Sequence, residues 1–212
     1  MAYTIYASTV NEYTTISQDW SVLRDGDSSV VDVVDINPSK AGHRIFQNIS
    51  KFTFVRTYML FDLSTVVDPI TSMNLYLHGY TSTGDTSYVV YGGDKFTGGA
   101  GDYPSYLNEL TAGELSTIII QSGQYTSCQL DIVNYPPSDP PGDYVIGLVT
   151  ENDYLNNINL SSSIVRINNN TGIAPYLIIN GGYPYNVSGV SGANITTVSG
   201  VPSANITNIM GV

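Results

Sequence analysis

Charge is scarce in this chain, and positive charge scarcer still. Only 12% of its 212 residues are charged, and 7 Lys and Arg stand against 18 Asp and Glu, for a formal net charge of -11. Binding nucleic acid through its phosphates needs clustered cations that release counterions, and no such cluster exists, which argues against a nucleic-acid partner. No stretch approaches the roughly 20 consecutive apolar residues of a membrane-spanning helix, so no membrane role is expected. The opening residues, Met1 to Tyr13, lack the basic start and apolar run of a secretory signal. The chain is therefore expected to be made and kept in a cytoplasm unless a leader has been removed. Cys128 is the single cysteine, which excludes an internal disulfide. It reads as a small core residue rather than a reactive thiol, because no motif-spaced His accompanies it.

Helix formers are also sparse, whereas 17 Tyr accompany abundant Val, Ile and Thr, the residues that suit a pleated, half-buried surface. Gly (20) and Pro (10) are spread along the chain and punctuate it into short segments. Tyr3, Ile5 and Ala7 alternate, as do Val31, Val33 and Ile36, with a turn at Asp25-Gly26-Asp27. The strongest pattern runs from Phe52 through Arg56 to Ser64 and, after an Asp68-Pro69 turn, through Met73, Leu75 and Leu77; these two strands are expected at the centre of a sheet. Further strands are expected at Tyr88 to Tyr91, Ser116 to Ile120, Cys128 to Val133, Tyr144 to Thr150, Ile164 to Asn168 and Ala174 to Ile179. The glycine-rich segment Gly92 to Gly101 reads as a loop. Tyr106 to Leu115 alone has a helical look. Pro136-Pro137 and Pro140-Pro141 bracket a loop at or beyond a sheet edge. Roughly eight to ten short strands without intervening helices predict an all-β fold, best fitted by a jelly-roll β-sandwich over residues 1–180.

The run Arg56-Thr57-Tyr58-Met59-Leu60-Phe61-Asp62-Leu63-Ser64, followed by Ile70-Thr71-Ser72-Met73-Asn74-Leu75-Tyr76-Leu77, resembles the signature of DNRLRE-type, carbohydrate-binding-module-like jelly rolls. Met73 stands where that signature usually has Ala. Ala174-Pro175-Tyr176-Leu177 resembles the closing strand of the same domains. The resemblance implies a sandwich with a structural or binding role, of the kind found in bacterial surface proteins and bacteriophage structural proteins. Read physically, Phe61 and Leu63 face the core while Asp62 and Ser64 cap the strand end. Arg56 is expected to pair with an acidic neighbour such as Asp62.

From Gly181 to Val212 no charged residue occurs and the sequence repeats: Val187-Ser188-Gly189-Val190, then Ala193-Asn194-Ile195, recur as Val198-Ser199-Gly200-Val201 and Ala204-Asn205-Ile206, with a partial third copy ending at Ile209-Met210-Gly211-Val212. A short fixed period marks a unit that cannot bury its apolar face alone. Val187, Val190, Ile195, Val198, Val201, Ile206, Ile209 and Val212 are the expected assembly contacts of a tail spanning residues 181–212. The tail resembles terminal repeats of phage virion proteins, which implies a homo-oligomer, a trimer by that analogy, or docking on other virion proteins. The alternative is a disordered low-complexity tail.

No Gly-x-Ser-x-Gly elbow, His-Glu-x-x-His or Cys-x-x-Cys is present, and the two histidines, His43 and His78, carry no catalytic motif; no enzyme is expected. Asp25-Gly26-Asp27 and Glu151-Asn152-Asp153 place oxygen ligands of the sort Ca²⁺ accepts on expected loops, although such turns are more often simply solvated, and no other cofactor is implied. The expected function is a structural protein of a bacteriophage-like virion, located in the virion and assembled in a host cytoplasm. The alternative is a carbohydrate-binding module at a bacterial cell surface, with Trp20 and exposed Tyr stacking on cell-surface glycans.

Overall fold

Alternation of apolar and polar residues, broken by Gly, Pro and Asp turns, yields strands almost throughout. The computed structural model describes residues 2–17, 31–34, 39–46, 51–83, 87–93, 114–133, 136–137, 141–155, 163–170, 172–181, 197–198 and 201–202. In chain order the elements are β1 (Ala2–Tyr6), β2 (Thr9–Ser17), β3 (Val31–Val34), β4 (Ser39–Phe46), β5 (Lys51–Asp62), β6 (Ile70–Thr83), β7 (Tyr88–Gly93), β8 (Glu114–Ile118), β9 (Tyr125–Gln129) and β10 (Asp143–Thr150). One helical turn, α1 (Glu151–Tyr154), precedes β11 (Ser163–Ile167), β12 (Tyr176–Gly181), β13 (Thr197–Val198) and β14 (Val201–Pro202). The fold is an all-β sandwich of two antiparallel sheets. The end of the helical-looking stretch, Glu114 and Leu115, lies in β8, and residues 106–113 lie outside the described residues. The strand expected from Cys128 to Val133 ends at Gln129 instead, because the Asp131 carboxylate accepts from the Val133 amide and turns the chain.

The smaller sheet has the order β1-β12-β6-β9. The larger is built on β5, one edge of which is held by β2 from Phe52 to Leu60. Its other edge is shared, with β4 pairing near its start and β10 near its end. Beyond β10 lie β7 and β8, beyond β4 lies β11, and beyond β2 lies β3.

The two sheets share one strand. The first part of β6 pairs with β12 and its last part with β11, along the same edge. The register slips at the crossing, where Arg166 faces Thr81 but Ile167 faces Gly79, so Tyr80 is an extra residue. Such bulges bend a strand and raise its twist. A Cβ at Gly79 would collide with the carbonyl oxygen of Gln121, and only glycine lets the backbones approach this closely.

Between the sheets, Met73, Leu75 and Leu77 of β6 and Leu177 and Ile179 of β12 meet Met59 and Phe61 of β5, Ile146 and Leu148 of β10, and Val165 and Ile167 of β11. Cys128 is half-buried against this core, and burial pushes its thiol up to about 11, which favours the thiol over the nucleophilic thiolate at neutral pH. As expected, Phe61 and Leu63 are buried while Asp62 and Ser64 are exposed. The Ser64 amide donates to Asp62 Oδ1 at 2.9 Å, and Ser64 holds the Asp62 carboxyl below its ordinary value.

Arg56 does not pair with Asp62. Six residues of strand at about 3.3 Å each separate the two by about 20 Å, beyond the reach of an arginine. Its partner is Asp153 in α1, with Nε to Oδ2 and Nη2 to Oδ1 both at 2.7 Å. Arg56 is fully buried and Asp153 nearly so. Thr150 caps α1 by accepting the Asp153 amide at 3.2 Å, so the turn after β10 presents its carboxylate to the outer side of β5. On that side Tyr58 of β5, Gly147 of β10 and Tyr91 of β7 lie in one cross-strand row. The two tyrosine rings meet edge to face across Gly147, with centroids 6.3 Å apart. A Cβ on Gly147 would strike the Tyr91 hydroxyl.

Removing one partner of a buried ion pair strands the other, at a cost of about 3–5 kcal/mol. Arg56→Ala and Asp153→Ala are each expected to lose that much stability in urea denaturation, and Asp62→Ala clearly less; equal losses for Asp62 and Asp153 would refute the pairing. Gly79→Ala and Gly147→Ala are each expected to lose about 1–3 kcal/mol through overpacking. An unchanged denaturation midpoint in either would show that the backbone or ring yields at no cost.

Candidate functional site

The period of two that sends Leu75, Leu77, Leu177 and Ile179 inward sends their neighbours to the outer face of the smaller sheet. Register then aligns them across strands. Tyr6 of β1 faces Tyr176 of β12, which faces Tyr76 of β6, which faces Ser127 of β9. The next row is Thr4, Ile178, Asn74 and Gln129. Beyond it lie Ala2, Asn180 and Ser72, and on the opposite side of the tyrosines His78 faces Tyr125.

The aromatic side chains form one connected group. Tyr76 and Tyr176 stack nearly parallel, at 3° with centroids 4.7 Å apart, which is the spacing of neighbouring strands. Tyr6 leans on Tyr176 at 50° and 5.5 Å. Tyr125 meets Tyr176 edge-on at 5.4 Å and His78 edge-on at 4.9 Å. Tyr6 remains 52% exposed and Tyr125 38% exposed, so the group is open to solvent. Around it, Asn168 Nδ2 lies 2.8 Å from His78 Nδ1, and Asn180 Nδ2 donates to Ser72 Oγ at 2.9 Å. In a chain of net charge -11, the face defined by these rows carries no Asp, Glu, Lys or Arg.

Desolvation by the crowded rings, and then the nearby phenols, push Tyr125 and Tyr176 above the ordinary tyrosine value of 10.0. At neutral pH these two phenols are therefore uncharged, and each can both donate and accept. Such a face can hold a ligand by stacking on its rings and by hydrogen bonding to its hydroxyls and amides.

The residues singled out from the sequence fall elsewhere. Trp20, Asp25, Gly26 and Asp27 lie outside the described residues, as do Val187, Val190, Ile195, Ile206, Ile209 and Val212. Val198 and Val201 are described, and pair with each other across Ser199-Gly200 in the two-stranded β13–β14 hairpin. The Glu151-Asn152-Asp153 segment is the helical turn α1, and both Asp153 oxygens face Arg56 rather than an open loop. Among the described residues no three His, Cys, Asp or Glu side chains come together as a metal site. His78 is a half-buried strand residue bonded to Asn168. The signal for the tyrosine row lay in the sequence, in Tyr76-Leu77-His78, Tyr125-Thr126-Ser127 and Tyr176-Leu177-Ile178, yet only the register unites three distant segments.

A group whose folded value is raised stabilises the fold fully below its unfolded value and ceases to do so as pH climbs through the folded one. Tyr125 and Tyr176 are thus expected to make alkali destabilising in a window that opens at 10.0. Ultraviolet difference titration should show late-ionising tyrosines, and the double variant Tyr125→Phe, Tyr176→Phe should lose part of that fraction. An unchanged curve would contradict the crowding of these phenols.

In comparisons with known proteins, no family model matches the chain and no curated protein is similar to it, so its function is read from this geometry and from the sequence.

Proposed function

We propose that this chain is a non-enzymatic structural protein of a bacteriophage-like virion, a capsid-decoration or fibre subunit that assembles through residues 181–212 and displays its jelly-roll sandwich outward. The observation that carries this reading is the placement of two features at opposite ends of one strand. In sequence the repeat tail follows Gly181, the last residue of β12, whereas the tyrosine row sits at Tyr176, its first. The intervening residues separate the two by about 17 Å along the strand. A subunit held by its tail thereby turns the tyrosine end away from the support.

The β13–β14 hairpin supports a covered rather than solitary tail. Its Val198 and Val201 belong to the charge-free repeat, and an isolated two-stranded hairpin is marginal in water. Each Val or Ile buried against a neighbour gains roughly 1.5–3 kcal/mol, so several tails together order where one does not. Self-association, as a trimer by analogy with fibrous phage proteins, or docking on other virion proteins provides that cover. The tyrosine row favours a second reading, a glycan-binding domain of a bacterial surface protein.

Truncation after Asn180 is the test. Light scattering should show an oligomer for the full chain and a folded monomer for the truncated one. A monomeric full-length protein whose tail is cleaved as readily as a flexible linker would reject assembly through the tail. Purified protein is also expected to leave common polysaccharides intact, and oligosaccharide release abolished by a single carboxylate substitution would reject the non-enzymatic reading.

A further inference from the structure

We infer that the outer face of the smaller sheet, centred on Tyr6, Tyr176, Tyr76 and Tyr125, is a binding site for an uncharged glycan. The inference rests on reading the chain as a binding protein rather than an enzyme, and adds to it the place and the chemical class of the ligand.

The chemistry of the face selects the ligand. A sugar ring presents an apolar C–H face and a rim of hydroxyls. The first suits an open aromatic ring, and the second suits side chains that donate and accept together. Tyr6, tilted at 50° and 52% exposed, and Tyr125, 38% exposed, are the rings open for stacking. Tyr76 and Tyr176 spend one face each on the other and contribute mainly hydroxyls. Asn74 and Gln129 lie in the adjacent row and supply amides. The row crosses four neighbouring strands, β1, β12, β6 and β9, a span of about 14 Å at ordinary strand spacing, which is long enough for an extended oligosaccharide.

Charge disfavours anionic rivals: the named rows of this face contain no cation, and an acidic glycan or a nucleic acid would be repelled by a protein of net charge -11. A protein partner would also meet tyrosines and little charge; what favours a sugar is the set of small donor-and-acceptor side chains beside the rings, Thr4, Asn74, Ser127 and Gln129. A preformed sheet face held by register also binds without first ordering a loop.

The test is native affinity electrophoresis of the full chain in gels cast with uncharged polymers (α- and β-glucans, mannans, galactans and xylans) or with the anionic polymers alginate and hyaluronate. At least one uncharged polymer should retard the protein, and neither anionic one should. Tyr6→Ala and Tyr125→Ala should each weaken retardation about three- to tenfold, the worth of one aromatic contact. Tyr125→Phe, which keeps the ring, should retain most of it, and Asp62→Asn, remote from the face, all of it. Circular dichroism establishes that each variant is folded. No retardation by any uncharged polymer, retardation by the anionic ones, or unaltered retardation of both alanine variants would overturn the site. An alanine variant that changes the oligomeric state instead of retardation would also overturn it, in favour of a protein contact. Failure of the site with an intact oligomer leaves the assembly reading standing, whereas retardation with shortened polymer keeps the site and rejects the non-enzymatic reading.

Discussion

One strand belonging to both sheets constrains everything else in this sandwich. β6 carries three inward residues to the core and four outward ones, Ser72, Asn74, Tyr76 and His78, to the open face, and then passes into the other sheet. The crossing requires a bulge at Tyr80 and a residue without a side chain at Gly79, against the Gln121 carbonyl. Because β12 and β11 follow each other along one edge of β6, the bend fixes how the sheets meet. It also fixes how far the tyrosine row lies from the larger sheet. Slipping β6 by one residue would exchange Leu75 and Leu77 for Tyr76 and His78, dismantling core and face together.

Much of the architecture was legible in the sequence because strand alternation is a local property. Leu75 and Leu77, Phe61 and Leu63, and Leu177 and Ile179 announce their own orientation, and the structure buries them all. What could not be read was pairing between distant segments. Arg56 was matched with the nearest suitable acid, whereas its partner stands 97 residues away on a helical turn whose Thr150 and Asp153 are a cap and a third-position acid. That spacing is a capping signal, but nothing in it points to an arginine. The tyrosine row was hidden for the same reason. Seventeen tyrosines are too many to choose among until register selects Tyr6, Tyr76 and Tyr176.

The larger sheet is buried on both sides around β5, which explains a fully enclosed arginine in so sparsely charged a chain. Tyr58, Val89, Tyr91, Val145 and Val149 make a second apolar layer on its outer side, with Arg56 and Asp153 beside it. An apolar pair would be as stable there or more so, since desolvating two charges offsets most of their attraction. The bidentate geometry instead specifies: a carboxylate at one position of α1 engages the fork of Arg56 through two bonds. The ion pair thus ties the chain after β10 to a single place over the sheet.

The arrangement of β12 has a mechanical consequence. The strand is flanked by β1 on one side and β6 on the other, its trailing end continues into the tail, and its leading end holds Tyr176. A pull applied to Gly181 along the axis of β12, against a hold on Tyr6 and Tyr76 of the flanking strands, would run parallel to both neighbours. The hydrogen bonds to both neighbours lie across that axis, so they are loaded in shear and share the tension, instead of parting one by one as in a peeled hairpin. Strain would therefore be borne by the whole length of β12 at once, the geometry in which a small sheet resists rupture best.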